Sequence, residues 1–477
     1  MKYITGGILA SLLIVSFDSS AMSFKECRIG PERGAHKVKA DCGKLSVAEN
    51  RDHPSRMIEL NIAIVRSESI HKQGDPVLML AGGPGQAAVE SYVSVASGFA
   101  EILKDRDVIL VDQRGTGESN PLNCDFDESI TASIAEDQEL FRAAIAKCVA
   151  NLDADTRFYT TTESIKDLEA VRKALNIEQW NLLGISYGTR KALTYMKMFP
   201  DSIRTVILDG VMPQQEAMPE SHEKNLLSAL SKQYAQCEKQ PACKEAFGDV
   251  GQQMRQLLAR IEADPPSIRL QDAFSGEYEE FILTKQHIAI AIRLFSYSAN
   301  TMILLPLMID KANHGQLETI AAQANMIDAM LQQSITNVEF SILCAEDLPF
   351  YGDQQVGENL IFGEQFIENI KTVCQIWPHT QVEASFKDPV ASALPVLLLS
   401  GELDPVTPPA FAELTMETLS NAQHLVAKGQ GHNVFPLGCI PDLIADFVNE
   451  PDTSLETECM NDFDYAPFYI NMMGPQQ

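Results

Sequence analysis

The segment Gly184-Ile185-Ser186-Tyr187-Gly188 places a serine at the centre of a G-x-S-x-G spacing, with an apolar run at 180–183 before it and a helical pattern at 189–199 after it. In a strand–turn–helix this spacing strains the serine backbone, keeps the flanking positions small enough for neighbouring chain to approach, and pushes the hydroxyl out at the strand's end. A serine hydroxyl is a weak nucleophile at neutral pH. It needs a base within hydrogen-bond reach and a third group that holds the base in one tautomer. Asp404 in GELDP and His432 in GQGHN supply both in the chain order expected for such a turn, each just past an apolar run. Glu402 is the competing acid and reads as a solvated loop charge; His424, at the start of the last run, reads as structural. The chemistry these types can perform is acyl transfer through a covalent serine intermediate. Its oxyanion needs two amide donors, Tyr187 N–H and one from the turn Gly82-Gly83-Pro84-Gly85, placed at Gly83.

The elements that must carry these residues are readable as apolar runs ending in glycine-rich or acidic turns. They lie at 77–80 before AGGPG, 108–111 before DQRGTGES, 180–183 before GISYG, 205–208 before DG, 396–399 before SGELD and 424–427 before KGQGH. Continuous runs of this kind suit strands covered on both faces of a mainly parallel sheet. Helical patterns fall between them: Ile165, Leu168, Val171 and Leu175 form one stripe, with Ser164 and Asp167 in capping-box positions. Strand alternating with helix predicts an α/β architecture with right-handed crossovers, and Ser186, Asp404 and His432 then share the C-terminal edge of the sheet. Two earlier strands, 37–47 and 57–66, read as an antiparallel hairpin at one edge. Asp112 and Arg114 read as a charge pair that braces neighbouring loops.

Alternation stops over residues 211–392, which are rich in Gln, Ala, Leu and Met with helical periodicity at 226–234 and 287–308. That is too long for a loop. It predicts a mostly helical insertion between two parts of one sheet domain, 22–210 and 393–477.

The chain has 477 residues, 45% hydrophobic and 21% charged, which is globular. Its net charge of −28, with 37 basic against 65 acidic side chains and no basic cluster, argues against nucleic acid as a partner. Residues 1–21 have the form of an export signal: Lys2, an apolar run at 4–17, then Ser19-Ser20-Ala21, with cleavage expected after Ala21. The alternative is an uncleaved anchor, but the run is shorter than the ~20 residues a spanning helix needs, so no stable membrane insertion is expected. Ten cysteines in an exported chain predict disulfides, and chain order suggests Cys27–Cys42, Cys124–Cys148, Cys237–Cys243, Cys344–Cys374 and Cys439–Cys459. Periplasm and extracellular medium are equally compatible. With no C-x-x-C pair and no H-E-x-x-H, neither metal nor cofactor is expected. No residue pattern sets an oligomeric state.

With AGGPG, DQRGTGES, GISYG, GELDP and GHN in this order, the chain resembles the proline iminopeptidase and tripeptidyl aminopeptidase family of α/β-hydrolase serine peptidases, over roughly residues 42–459. The late segment with Asp404, His432 and Cys439 is similar to the C-terminal region of exported tripeptidyl-aminopeptidase-like members. That resemblance implies an α/β-hydrolase fold, with Ser186 as nucleophile, Asp404 as orienting acid, His432 as base, and Tyr187 and Gly83 as oxyanion donors. The insertion would be a cap that admits free N-termini and supplies carboxylates for the substrate's ammonium group. Glu346 and Asp347, in CAEDLPF beside Cys344, are the candidates. Ala81 departs from the pattern, standing where many members have histidine. The implied activity is an exported serine aminopeptidase acting on short peptides. The alternatives are a carboxylesterase with the same three residues and an apolar cap, and a silent hydrolase fold used for binding, whose mark would be a missing catalytic residue.

Overall fold

The computed structural model describes residues 22–30, 36–124, 138–271, 276–324, 336–352, 361–362 and 364–475. The expected export signal at 1–21 lies outside them. Eleven strands are described: β1 (Lys25–Ile29), β2 (Val38–Ala48), β3 (Met57–Val65), β4 (Val77–Leu80), β5 (Val108–Val111), β6 (Trp180–Ile185), β7 (Ile203–Asp209), β8 (Ser267–Gln271), β9 (Tyr278–Ile282), β10 (Val396–Gly401) and β11 (Ala422–Ala427).

Nine of them form one sheet in the order β1-β2-β3-β5-β4-β6-β7-β10-β11. From β5 to β11 the neighbours are parallel, whereas β1, β2 and β3 run antiparallel, as does β3 against β5. The inner parallel strands are largely apolar because both faces are covered, and every residue of β4, β5, β6 and β10 is buried. Helices Thr161–Ala174 and Tyr187–Met198 pack on one face with Trp180 and Leu182, while helix Ile440–Asn449 covers the other through Ile444 and Phe447. Each such fully buried Leu or Phe contributes about 1.5–3 kcal/mol, so the sheet is a rigid base for its own edge.

Two local expectations are corrected. The β2–β3 hairpin is not the edge, because β1 pairs outside it and is tied to β2 by Cys27–Cys42. The helix expected to be capped at Ser164 begins a turn earlier, where Thr160 accepts the Glu163 N–H and Ser164 is buried within the helix. Thr160-x-x-Glu163 meets the same pattern as Ser164-x-x-Asp167, and the Asp167 carboxylate is held by Arg114 and Arg51.

The insertion is mainly helical, with its own core of Leu226, Leu257, Ile261, Ile288, Ile292 and Ile309. It also carries an antiparallel pair, β8–β9, in which Ile268 and Leu270 alternate inward from exposed neighbours. The apolar pattern at 287–308 is broken into helices Lys285–Phe295, Ala299–Met302 and Leu305–Asn313, because Ser298 caps a new start and Pro306 sits in the first turn of the last helix. The five disulfides pair in chain order, Cys27–Cys42 to Cys439–Cys459. No described helix is long and apolar enough to cross a membrane.

Candidate active site

Ser186 stands between β6 and helix Tyr187–Met198 with φ 55° and ψ −121°, a conformation that side chains with a Cβ rarely adopt. Packing enforces it. A Cβ at Gly188 would fall 2.0 Å from the Leu80 carbonyl, and one at Gly184 would fall 2.5 Å from the Gly188 carbonyl, so both positions admit only glycine. The Ser186 N–H donates to the Asp209 carbonyl at 2.8 Å, which ties the turn to the end of β7.

Asp404 follows β10 and is fully enclosed. Its Oδ1 accepts the Val406 and Thr407 amides, both at 2.8 Å; its Oδ2 accepts the Thr407 hydroxyl at 2.9 Å and meets His432 Nδ1 at 2.7 Å. A carboxylate can only accept, so the proton sits on Nδ1 and the lone pair on Nε2 is left to act as a base. Burial works to raise the Asp404 carboxyl, but His432 and the two amides outweigh it and hold the group below the ordinary carboxylate range.

The His432 loop is clamped from two sides. Its N–H donates to the cap carbonyl of Tyr297 at 2.7 Å, and the Val434 and Phe435 amides donate to the Asp209 carboxylate at 3.0 and 3.1 Å. A Cβ on Gly210 would stand 2.9 Å from His432 Cε1, so the imidazole lies over the same β7 end that holds Ser186. Burial pushes the Asp209 carboxyl up to about 6 against those amides. Among the described residues no hydrogen bond yet joins the Ser186 hydroxyl to His432; such bonds tighten when substrate arrives. Glu402, the competing acid, instead accepts Gly429 N–H and Tyr465 O–H. His424 meets the Ser400 hydroxyl within the sheet.

Gly83, at φ 102°, and Tyr187, first residue of its helix, are the two expected oxyanion donors, and among the described residues neither N–H donates to a protein acceptor. Both border a cavity of about 120 Å³ that has Ser186 on the core side and Met218, Arg293, Tyr297, Glu339 and Leu343 on the cap side. Burial pushes the Glu339 carboxyl up to about 6, opposed by Arg293. Neither the Glu339 carboxylate nor the Arg293 guanidinium forms a hydrogen bond or ion pair among the described residues; the guanidinium lies 5.7 Å from the Phe362 ring.

Glu346 and Asp347 do not border this cavity, which corrects their expected place. Both are fully buried on the π-turn Leu343–Asp347 and turned towards the core. Glu346 accepts the Thr161 amide at 2.6 Å and its hydroxyl at 2.7 Å, while Asp347 is paired with Arg190 at 2.9 Å and Lys387 at 2.7 Å. The residue that sequence reasoning missed is Glu339, and its signal was an isolated charge in the apolar run VEFSIL. Asp112 and Arg114 brace loops, but not through each other. Arg114 grips Asp167 at 2.6 and 2.7 Å, whereas Asp112 accepts Asn61, Val89 N–H and Glu118 N–H.

Residues 75–243 match the family model described as alpha/beta hydrolase fold, so the sheet order and the serine turn define an α/β-hydrolase. Residues 358–459, which carry both Asp404 and His432, match the model of the TAP-like proteins. The chain thus carries an α/β-hydrolase-fold segment followed by a TAP-like C-terminal segment. It is 24% identical over 462 residues to the Putative hydrolase YuaR of Escherichia coli, covering 88% of this chain and 87% of that one. It is 27% identical over 188 residues to a Tripeptidyl aminopeptidase of Streptomyces coelicolor, 36% of this chain and 35% of the relative. Carboxylesterase B of Mycobacterium tuberculosis is 24% identical over 410 residues, 77% of this chain and 76% of its own.

Proposed function

We propose that the protein is an exported serine hydrolase that cleaves short peptides from a free N-terminus. The observation that carries this reading is the unpaired Glu339 carboxylate in the cavity that holds Ser186. A half-buried carboxylate that lines the cavity, with no cation in contact among the described residues, is satisfied by a ligand cation, and a peptide's α-ammonium is the one every free N-terminus brings. Glu339 takes the role first expected of Glu346 and Asp347.

In the proposed reaction His432 Nε2 removes the Ser186 proton as Oγ attacks the scissile carbonyl. The Gly83 and Tyr187 amides hold the oxyanion, aided by the N-terminus of helix Tyr187–Met198. His432 then gives its proton to the departing amine, and water, activated by the same imidazole, releases the acyl group. Export is supported by the signal-like residues 1–21 and by five disulfides, which persist in oxidising compartments.

A carboxylesterase is the second reading, favoured by the apolar lining of Met212, Met218, Leu343, Ile370 and Val406 and by the similarity to Carboxylesterase B. Rates on an aminoacyl or tripeptidyl anilide, its N-acetyl form and a short-chain ester separate the two. The peptidase reading expects N-acetylation and Glu339→Gln each to lower kcat/KM on the anilide by about 10- to 100-fold, the scale of one charge-assisted hydrogen bond. Ester hydrolysis should survive Glu339→Gln and vanish in Ser186→Ala. Equal rates on free and acetylated anilides refute an aminopeptidase.

A further inference from the structure

Arg293 is the second unpaired charge of the cavity. It lies on helix Lys285–Phe295, which is fixed at its start by the reciprocal Thr284–His287 cap, so its position does not depend on a loop. Its guanidinium and the Glu339 carboxylate are near enough for the cation to act on the carboxyl, yet they form no ion pair and no described residue bonds either. The Arg293 guanidinium is a half-buried planar fork of five donors on the cavity wall with no acceptor among the described residues, and carboxylate is the ligand it matches best. His222, also on the cavity wall, adds no charge, because burial and then Arg293 push its imidazole well below the ordinary range.

Two opposite charges held apart in one cavity suit a ligand that carries their complements at short separation. A cavity of about 120 Å³ has room for several waters, enough for the side chain and ammonium group of an N-terminal residue together. We infer that Arg293 makes the site selective for peptides whose N-terminal residue has an acidic side chain, the guanidinium binding that carboxylate while Glu339 binds the neighbouring ammonium. The substrate's own C-terminal carboxylate fits less well: Arg293 neighbours the group proposed to hold the N-terminus, so it serves the acyl half, not the leaving half. Selectivity of this kind has to be local. The chain's net charge of −28 repels acidic peptides at long range, and only a direct contact with a cation in the cavity reverses that bias.

The inference rests on the aminopeptidase reading, and one substrate panel separates their failures. Anilides of the form Xaa-anilide and Xaa-Ala-Ala-anilide, with Xaa as Glu, Gln or Lys, are assayed free and N-acetylated with the full chain. Whichever series is cleaved, kcat/KM for Glu should exceed that for Gln by about tenfold or more, with Lys lowest. Arg293→Gln should bring the Glu/Gln ratio within about twofold, and Arg293→Glu should invert the order in favour of Lys. Labelling of Ser186 by a fluorophosphonate counts the folded active fraction of each variant. Should the Gln variant not fold, Arg293→Lys, which keeps the charge without the fork, must retain a reduced Glu preference. A wild-type Glu/Gln ratio near one, or a ratio untouched by Arg293→Gln, overturns the inference while loss of rate on acetylation leaves the aminopeptidase intact. A preference that follows a free C-terminal carboxylate over its amide also overturns it. Indifference to acetylation overturns the aminopeptidase reading itself.

Discussion

Each of three carboxyl groups around the site is set by its surroundings to a different task. Asp404 is held ionised by two amides and His432, Asp209 is drawn up to about 6 by burial while it fastens the histidine loop, and Glu339 is drawn up to about 6 in the cavity itself. The last of these has a pH consequence. Glu339 can hold an ammonium only when ionised, so kcat/KM for a free N-terminus should fall about tenfold per pH unit once the pH drops below about 6. Substrate binding favours the charged form and shifts this limb downward in kcat relative to kcat/KM. An ester without an amine lacks the Glu339 contribution, and in Glu339→Gln the profiles of the two substrates should become parallel. A difference between them that persists in that variant would assign the limb to another group. Much of this was legible in the residues, since serine, acid and histidine each sit in a recognisable turn. Glu339 was passed over because a single acidic residue in an apolar run carries no motif.

At the level of elements, the serine turn is set by contact between β4, β6 and the helix that follows. The Gly188 Cα packs so closely on β4 that any side chain must push the Leu80 carbonyl aside, with a Cβ only 2.0 Å away. Gly188→Ala should therefore cost about 3 kcal/mol or more in denaturant unfolding, because the obstacle is sheet backbone and not a movable side chain. Gly74→Ala is the control: nothing lies within 4 Å of its added Cβ, and stability should change by no more than about 0.5 kcal/mol. Similar midpoints for the two variants would mean that the turn is looser than its contacts require. The parallel strand runs were readable with ends within two residues, since a buried parallel strand is apolar on both faces. The hairpin β8–β9 was not, because its short alternation in SIRLQ is lost among helical patterns on either side.

Across the whole molecule, cap and core are joined by buried charge. Asp347 of the cap, fully enclosed, pairs with Arg190 on the helix that begins at the nucleophile and with Lys387 at the cap's exit; Glu346 beside it grips Thr161 of the neighbouring helix. Removing one member leaves the others charged in a dry site. Asp347→Asn should destabilise the protein by about 3–5 kcal/mol, whereas replacing Arg190, Asp347 and Lys387 together with apolar residues of similar volume should recover much of that loss. Thermal or urea unfolding of both variants checks this; a triple variant no better than Asp347→Asn would mean that the network itself, and not a stranded charge, sustains the joint. The Cys344–Cys374 bridge adds a covalent tie within the same part of the cap.

The parallel strands and the order of serine, acid and histidine could be taken from residue order alone, because turn chemistry and two-sided burial act over a few neighbouring residues and leave a local mark; the disulfide pairs that chain order suggested needed the fold to fix them. Which cap carboxylate meets the cavity could not. Glu339, Glu346 and Asp347 lie within one short stretch of α-helix and π-turn, where each residue turns the side chain by about 100° and a single extra residue in a turn redirects all that follow. Their facing depends on Arg190 and Thr161, far off along the chain, and only packing of the cap onto the core brings those partners near. The same holds for Arg114, whose partner proved to be Asp167 and not the nearby Asp112.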